Sequence, residues 1–124
     1  MSEVRKARGT AARLSGRRGE VLAALWLMAK GYRILGFRLA ANQGEIDLLA
    51  LRRGVLAVVE VKRRRSLDAA LEAVRPAQRE RLRRAAAQIA LRRPALRNAA
   101  IRLDLFALAP GRMPRHIPDA WRGG

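Results

Sequence analysis

The chain has no cysteine, which rules out disulfide bridges and thiolate metal sites and suits a reducing cytoplasm. Histidine occurs once, at His116, so a histidine-rich zinc centre or a serine–histidine–aspartate triad has little support. Long hydrophobic stretches are missing too. The longest apolar run, Val21 to Ala29, covers nine residues, against the ~20 that span a bilayer. The first 16 residues are basic and lack a signal-peptide hydrophobic stretch; residues 1–16 read as a disordered basic arm. Aromatic side chains make up 4% of the chain, too few for a stacking platform that follows a single strand.

Acidic residues are also scarce. There are 10 of them against 27 basic ones, for a formal net charge of +17. Such an imbalance favours nucleic acid, whose phosphates release counterions when they are neutralised. An acidic membrane surface would call for a segment with a basic face and a large aromatic one, and none is present. A general bias toward arginine would also raise the charge without any partner, and it shows here: only Lys6, Lys30 and Lys62 among the 27 basic residues are lysine. That bias makes Lys62 informative. A compact ammonium can approach one water or one phosphate oxygen, where arginine presents a wide planar fork.

The chain's 124 residues, half of them hydrophobic, suffice for one core and a single domain over residues 17–124. Helical spacing predicts a first helix from Arg18 to Lys30, stopped by Gly31. Alternation predicts strands over Tyr32–Leu39, Glu45–Leu51 and Val55–Lys62, joined by turns at Ala41–Gly44 and Arg52–Gly54. Ser66 can cap a helix that Pro76 interrupts and restarts, with Leu82, Ala85, Ala86, Ile89 and Ala90 on one stripe and Arg79, Arg81, Arg83 and Arg84 on a solvated face. A fourth strand spans Asn98–Leu108, a short one fits Arg115–Ile117, and Trp121 anchors the tail. The order α-β-β-β-α-β describes an α/β sheet with helices packed against it.

Within this frame one segment carries chemistry. Asp47 falls in the second strand, and Glu60 and Lys62 stand two apart on the third, so they share a face. Asp47 can face them across the hairpin. Two carboxylates and an ammonium converging on an apolar sheet suit a divalent cation and attack on a phosphodiester. The plain alternative is a strand-end salt bridge beside a polar turn. Glu45 is a further ligand or a hairpin surface charge. Glu20 lies in the first helical turn, where the helix dipole alone favours an acid. His116 reads as a packed surface histidine and Trp26 as core.

Several motifs recur together: Gly19-Glu20 before an apolar helix, Gly31-Tyr32-Arg33-Ile34-Leu35, Gly44-Glu45-Ile46-Asp47-Leu48, Val59-Glu60-Val61-Lys62, Arg81-Leu82, Arg102-Leu103-Asp104 and His116-Ile117-Pro118-Asp119-Ala120. In this order the chain from Gly19 to about Trp121 resembles the YraN-like family of small bacterial predicted endonucleases. That family is similar to Holliday junction resolvases and restriction-endonuclease-like nucleases. The resemblance implies a mixed central sheet flanked by helices. It also implies a catalytic set of Asp47, Glu60, Lys62 and Glu20, with Gln78 standing where relatives often have Lys. A Mg2+ or Mn2+ ion would be held by Asp47, Glu60 and the Val61 carbonyl. Arg63, Arg64, Arg65 and Arg38 would contact the backbone of DNA, which a homodimer would engage at branched structures. One departure is Gly36-Phe37-Arg38, where relatives commonly carry Asn. The expectation is a metal-dependent endonuclease; the alternatives are a non-catalytic nucleic-acid-binding module and a basic surface for an acidic protein partner.

Overall fold

The computed structural model describes residues 18–41 and 44–122; the expected arm over residues 1–16 and the turn residues Asn42 and Gln43 lie outside them. The first helix, α1, covers residues 18–29. It is followed by β1 (Arg33–Ala41), β2 (Gly44–Arg52), β3 (Val55–Arg63), α2 (Leu67–Glu72), α3 (Pro76–Arg92), a short 3-10 turn (Pro94–Leu96), β4 (Ala100–Leu108) and β5 (Arg115–Ile117). Ser66 caps α2 by accepting from the Ala69 N–H at 3.1 Å, and Pro76 opens α3 at a position whose N–H has no helical partner.

The strands form one mixed sheet in the order β1-β2-β3-β4-β5. The β1–β2 and β2–β3 pairs are antiparallel, β3–β4 is parallel across the α2–α3 connection, and β5 adds antiparallel to β4. β3 is therefore central. Leu56, Ala57, Val58 and Val59 are all fully buried, as a strand covered on both faces requires. One face packs Leu49, Leu56, Val58, Leu103 and Leu105 against Val74, Leu82, Ala85 and Ala86 of the α2–α3 layer. The other packs Leu48, Ala50, Ala57, Val59 and Phe106 against Ala23, Ala24 and Leu27 of α1. This is the α/β arrangement expected from the sequence, and it is compatible with a nuclease-like fold.

The α1 helix is apolar nearly all round; Ala23, Ala24 and Leu27 turn inward, while Val21, Leu25 and Met28 stay outside, at 48%, 58% and 56% exposure. A Cβ added at Gly19 would lie 3.1 Å from Leu108 and 3.2 Å from Val61, so glycine is what lets the helix start close against β3 and β4. The glycine at the start of the helix permits that approach. It sets Glu20 beside the end of the central strands.

Trp121 anchors the tail, its indole donating to the Leu71 carbonyl at 3.0 Å. Arg79, placed by pattern on a solvated face, instead lies with its guanidinium 5.8 Å from the centre of the Trp121 ring. Among the described residues no helix is long and apolar enough to cross a membrane.

Candidate functional site

The ladder between β2 and β3 runs from Arg52↔Val55 to Leu48↔Val59 and stops there. One step further, Asp47 would stand opposite Glu60. Instead of continuing the main-chain pairing, the Asp47 carboxylate takes the next free donor, accepting from the Val61 N–H at 3.0 Å through Oδ2. A side chain thus replaces a strand partner where the two strands part, which leaves room between them while the buried N–H stays satisfied.

Glu60 sits at this opening and is 2% exposed. Its Oε2 lies 4.0 Å from the Lys62 ammonium, and its Oε1 is buried without a hydrogen-bond partner. Burial, joined by the adjacent charge of Asp47 and only partly offset by Lys62, pushes the Glu60 carboxyl up to about 8. The structure therefore brings Asp47, Glu60, Lys62 and the Val61 backbone together.

Glu20 is 7% exposed and is matched to Arg38, whose Nε donates to both carboxylate oxygens at 3.0 Å. That bond, and then the charge of Glu20, raises the Arg38 guanidinium above its ordinary value, with Glu45 and Asp47 adding smaller contributions. The pair thus borders Asp47. Arg38 has a φ of +47°, a left-handed conformation that costs a side-chain-bearing residue about 1 kcal/mol or more. Glu20 is consequently an ion-pair partner as well as a helix-start acid, and Arg38 meets it before any phosphate.

Arg63, Arg64 and Arg65 are exposed just beyond Lys62. The Arg64 N–H donates to the Leu108 carbonyl at 3.0 Å, which holds this basic stretch against β4. Gln78 lies in the first turn of α3 and is half-buried; it takes no part in the contacts joining Asp47, Glu60 and Lys62. Glu45 is exposed.

A second polar cluster escaped the sequence reading as a unit. Asp104 is fully buried on β4. It accepts from Arg102 at 2.7 and 2.8 Å, bonds the His116 Nε2 at 2.8 Å, and accepts from the Asp119 N–H at 3.1 Å. Burial alone would raise its carboxyl, but the hydrogen bonds from Arg102, His116 and Asp119 hold it below the usual carboxylate range. Arg102 also donates to the Tyr32 hydroxyl at 2.6 Å, and Lys30 lies 3.0 Å from His116 Nδ1. His116 is thus no surface residue, because its side chain is 0% exposed. The signal was available in Arg102-x-Asp104, the same two-residue spacing as Glu60-x-Lys62. Its lone pairs are taken, so this cluster ties β4, β5 and the end of α1 together.

The Asp47–Glu60 pair differs in just that respect. A buried carboxylate oxygen with no partner is uncommon and calls for an explanation, and hard oxygen donors suit Mg2+ or Mn2+. Among the described residues no group of three or more His, Cys, Asp or Glu side chains is placed to hold a metal. Mg2+ does not need one, since it commonly binds through one or two carboxylates and completes its shell with waters and substrate phosphates. The residues present fit such an ion, with Asp47, Glu60 and the Val61 backbone as its holders.

Residues 19–108 match the Uncharacterised protein family UPF0102. The chain is similar to a UPF0102 protein of Caulobacter sp. strain K31, 75% identical over 117 residues that cover 94% of this chain and 84% of the relative. It is 69% identical over 120 residues to one of Caulobacter vibrioides strain NA1000, covering 97% of this chain and 96% of the relative. A UPF0102 protein of Paramagnetospirillum magneticum is 50% identical over 116 residues, 90% of each chain. The chain belongs to the UPF0102 family, the YraN-like proteins its motifs resemble.

The buried acid predicts a pH-dependent stability. In the folded chain Glu60 releases its proton near 8, and in the unfolded chain near its ordinary 4.5. The folded state binds more protons between those values. Its contribution to stability is therefore full below the unfolded value and is lost as pH rises through the folded one, a change on the order of a few kcal/mol. Glu60→Gln keeps the volume and removes the titration. In urea unfolding without divalent metal, wild type should weaken from about pH 5 to about pH 9 more than Glu60→Gln does. Parallel pH profiles for the two proteins would show that Glu60 is not the buried acid described here.

Proposed function

We propose that this UPF0102 protein is a metal-dependent endonuclease that hydrolyses phosphodiester bonds of DNA, including branched DNA, in the cytoplasm. The observation that carries this reading is the buried, unpartnered Glu60 oxygen beside Asp47 and Lys62, at the point where β2 and β3 part. Asp47 and Glu60, with the Val61 backbone, are the residues to hold Mg2+ or Mn2+. Bound there, the cation supplies Lewis-acid polarisation of the scissile phosphate and favours ionisation of the attacking water.

The chain's own residues supply the rest. Lys62, with its side chain 20% exposed, offers a point donor for negative charge developing on the phosphate. Glu60 must lose the proton that burial favours, so ligand binding and deprotonation are linked. The Asp47 bond to the Val61 N–H orients one carboxylate before the substrate arrives. Arg63, Arg64 and Arg65 meet the backbone, which gives position without sequence information. A cleft of about 300 Å3 bordered by Arg65, Arg112 and Arg115 extends the basic surface beyond them.

The second reading, a non-catalytic nucleic-acid-binding module, is favoured by the lack of a third acidic ligand among the described residues. Nicking assays on a four-way junction and a linear duplex with Mg2+ and Mn2+ separate the two. Under the nuclease reading Asp47→Asn abolishes cleavage while DNA affinity is kept or improved, because a charge facing phosphate is gone. Lys62→Arg keeps binding and loses cleavage by about 100-fold or more. No cleavage by wild type with either metal, with both variants binding as wild type does, would leave the binding module.

The exposed stripe Val21, Leu22, Leu25 and Met28 on α1 supports a homodimer, since an uncharged surface is where two strongly basic chains can meet. Sedimentation should show a dimer for wild type and a monomer for Leu25→Glu. A monomeric wild type at high concentration would remove the dimer.

A further inference from the structure

The Glu20–Arg38 pair lines a cavity of about 220 Å3 together with Val21 and Phe37. Phe37 and Arg38 are consecutive residues of one strand, and in a regular strand their side chains would point to opposite faces. They line one cavity because Arg38 is in the left-handed region, at φ +47°, which breaks the alternation. The left-handed conformation is held against its cost by the two contacts to Glu20 at 3.0 Å. Strain of this kind, held in place by its surroundings, is a feature of ligand clamps.

Phe37 is distinctive in another way. It is 43% exposed, whereas Tyr32, Phe106 and Trp121 are buried and Trp26 is half-buried. Every other aromatic ring of the chain has a place in the interior or against it. Phe37 also pairs with Leu48 across the β1–β2 ladder, which puts it one residue from Asp47. An exposed ring, a guanidinium and a carboxylate thus share a space on the face of the sheet that α1 covers, within reach of the Asp47 charge.

Arginine has five N–H donors, of which the one on Nε is used on Glu20. A cavity of about 220 Å3 holds roughly seven waters at ~30 Å3 each, room for one flat heterocycle and little else. We propose that this cavity takes a single unstacked nucleobase, its face against Phe37 and its polar edge toward Arg38 and Glu20. The inference rests on the nucleic-acid reading above and narrows the substrate class. Bases inside a continuous duplex are stacked and paired, so their faces are closed to a side chain. A displaced nucleotide at a bulge, flap or branch point is open to stacking. The preferred substrate is therefore DNA with an unpaired nucleotide close to the scissile phosphate.

The experiment measures affinity by anisotropy in chelator, so that no cleavage intervenes, for a linear duplex and for the same duplex with a one-nucleotide 2-aminopurine bulge. Wild type should bind the bulged DNA about tenfold more tightly and quench the 2-aminopurine fluorescence. Phe37→Leu keeps an apolar side chain without the ring, and should bring the ratio to about one while leaving duplex affinity unchanged; Phe37→Trp should keep both the ratio and the quenching. An equal, salt-sensitive affinity of wild type for both DNAs would overturn this inference and leave the nucleic-acid reading standing. Failure to bind either DNA would overturn both. A Phe37→Leu ratio equal to that of wild type would also overturn it, as would a change in sedimentation with Phe37→Leu, which would assign the patch to a protein contact.

Discussion

Burying a carboxyl group among apolar walls is unfavourable unless its lone pairs find donors or a cation, and in this fold the problem is concentrated at Glu60. β3 is the central strand, sealed on both faces through Val59, so a side chain at the next position has little water to turn to. β2 would have covered it, but its pairing ends at Leu48↔Val59. Asp47 then serves the Val61 N–H in place of a strand partner. The same parting of strands that spares one backbone group leaves one Glu60 oxygen without a partner. The surroundings follow from this: Lys62 offsets part of the charge, Asp47 adds to it, and the acid holds its proton through neutral pH.

Asp104 is at least as deeply buried as Glu60, yet its bonds to Arg102, His116 and the Asp119 N–H keep it ionised. One buried acid is satisfied and structural. The other is raised, short of a partner and next to a second carboxylate. Perturbation of this kind points to function more than the presence of an acid does. Around it, Gly19 allows α1 to approach Val61 and Leu108 closely, and Glu20 reaches Arg38 across the gap between helix and strand. The strained Arg38 backbone and the exposed Phe37 beside it fit a site where stability has been given up locally.

Much of this was legible in the sequence because it depends on local periodicity. Alternation located β1 to β4, Ser66 and Pro76 located α2 and α3, and the spacing of Glu60 and Lys62 placed both on one face of β3. Features set by contacts distant in sequence were not legible. An α1 that is apolar all round does not declare which face turns inward, and the answer depended on how closely Gly19 and Ala23 can approach the sheet. Nothing in Gly36-Phe37-Arg38-Leu39 marks a left-handed arginine, which is held by Glu20 from another element. The Asp104 cluster needs the β4–β5 register and the Tyr32 hydroxyl, 70 positions from Arg102. Resemblance to the family brought Glu20 near Asp47 in expectation, but its pairing with Arg38 is a property of the folded chain.

The proposed nuclease chemistry depends on Asp47 and Glu60 taking a divalent cation. Calorimetric titration of the protein with Mn2+ near neutral pH, repeated in two buffers of different ionisation enthalpy, decides this. Glu60 is protonated there in the free protein, and a ligating carboxylate must be ionised. Saturable binding with release of about one proton per ion is expected, with both the binding heat and the proton release lost in Glu60→Gln. No binding, or binding that is buffer-independent and unchanged in Glu60→Gln, would rule out a cation at Asp47 and Glu60.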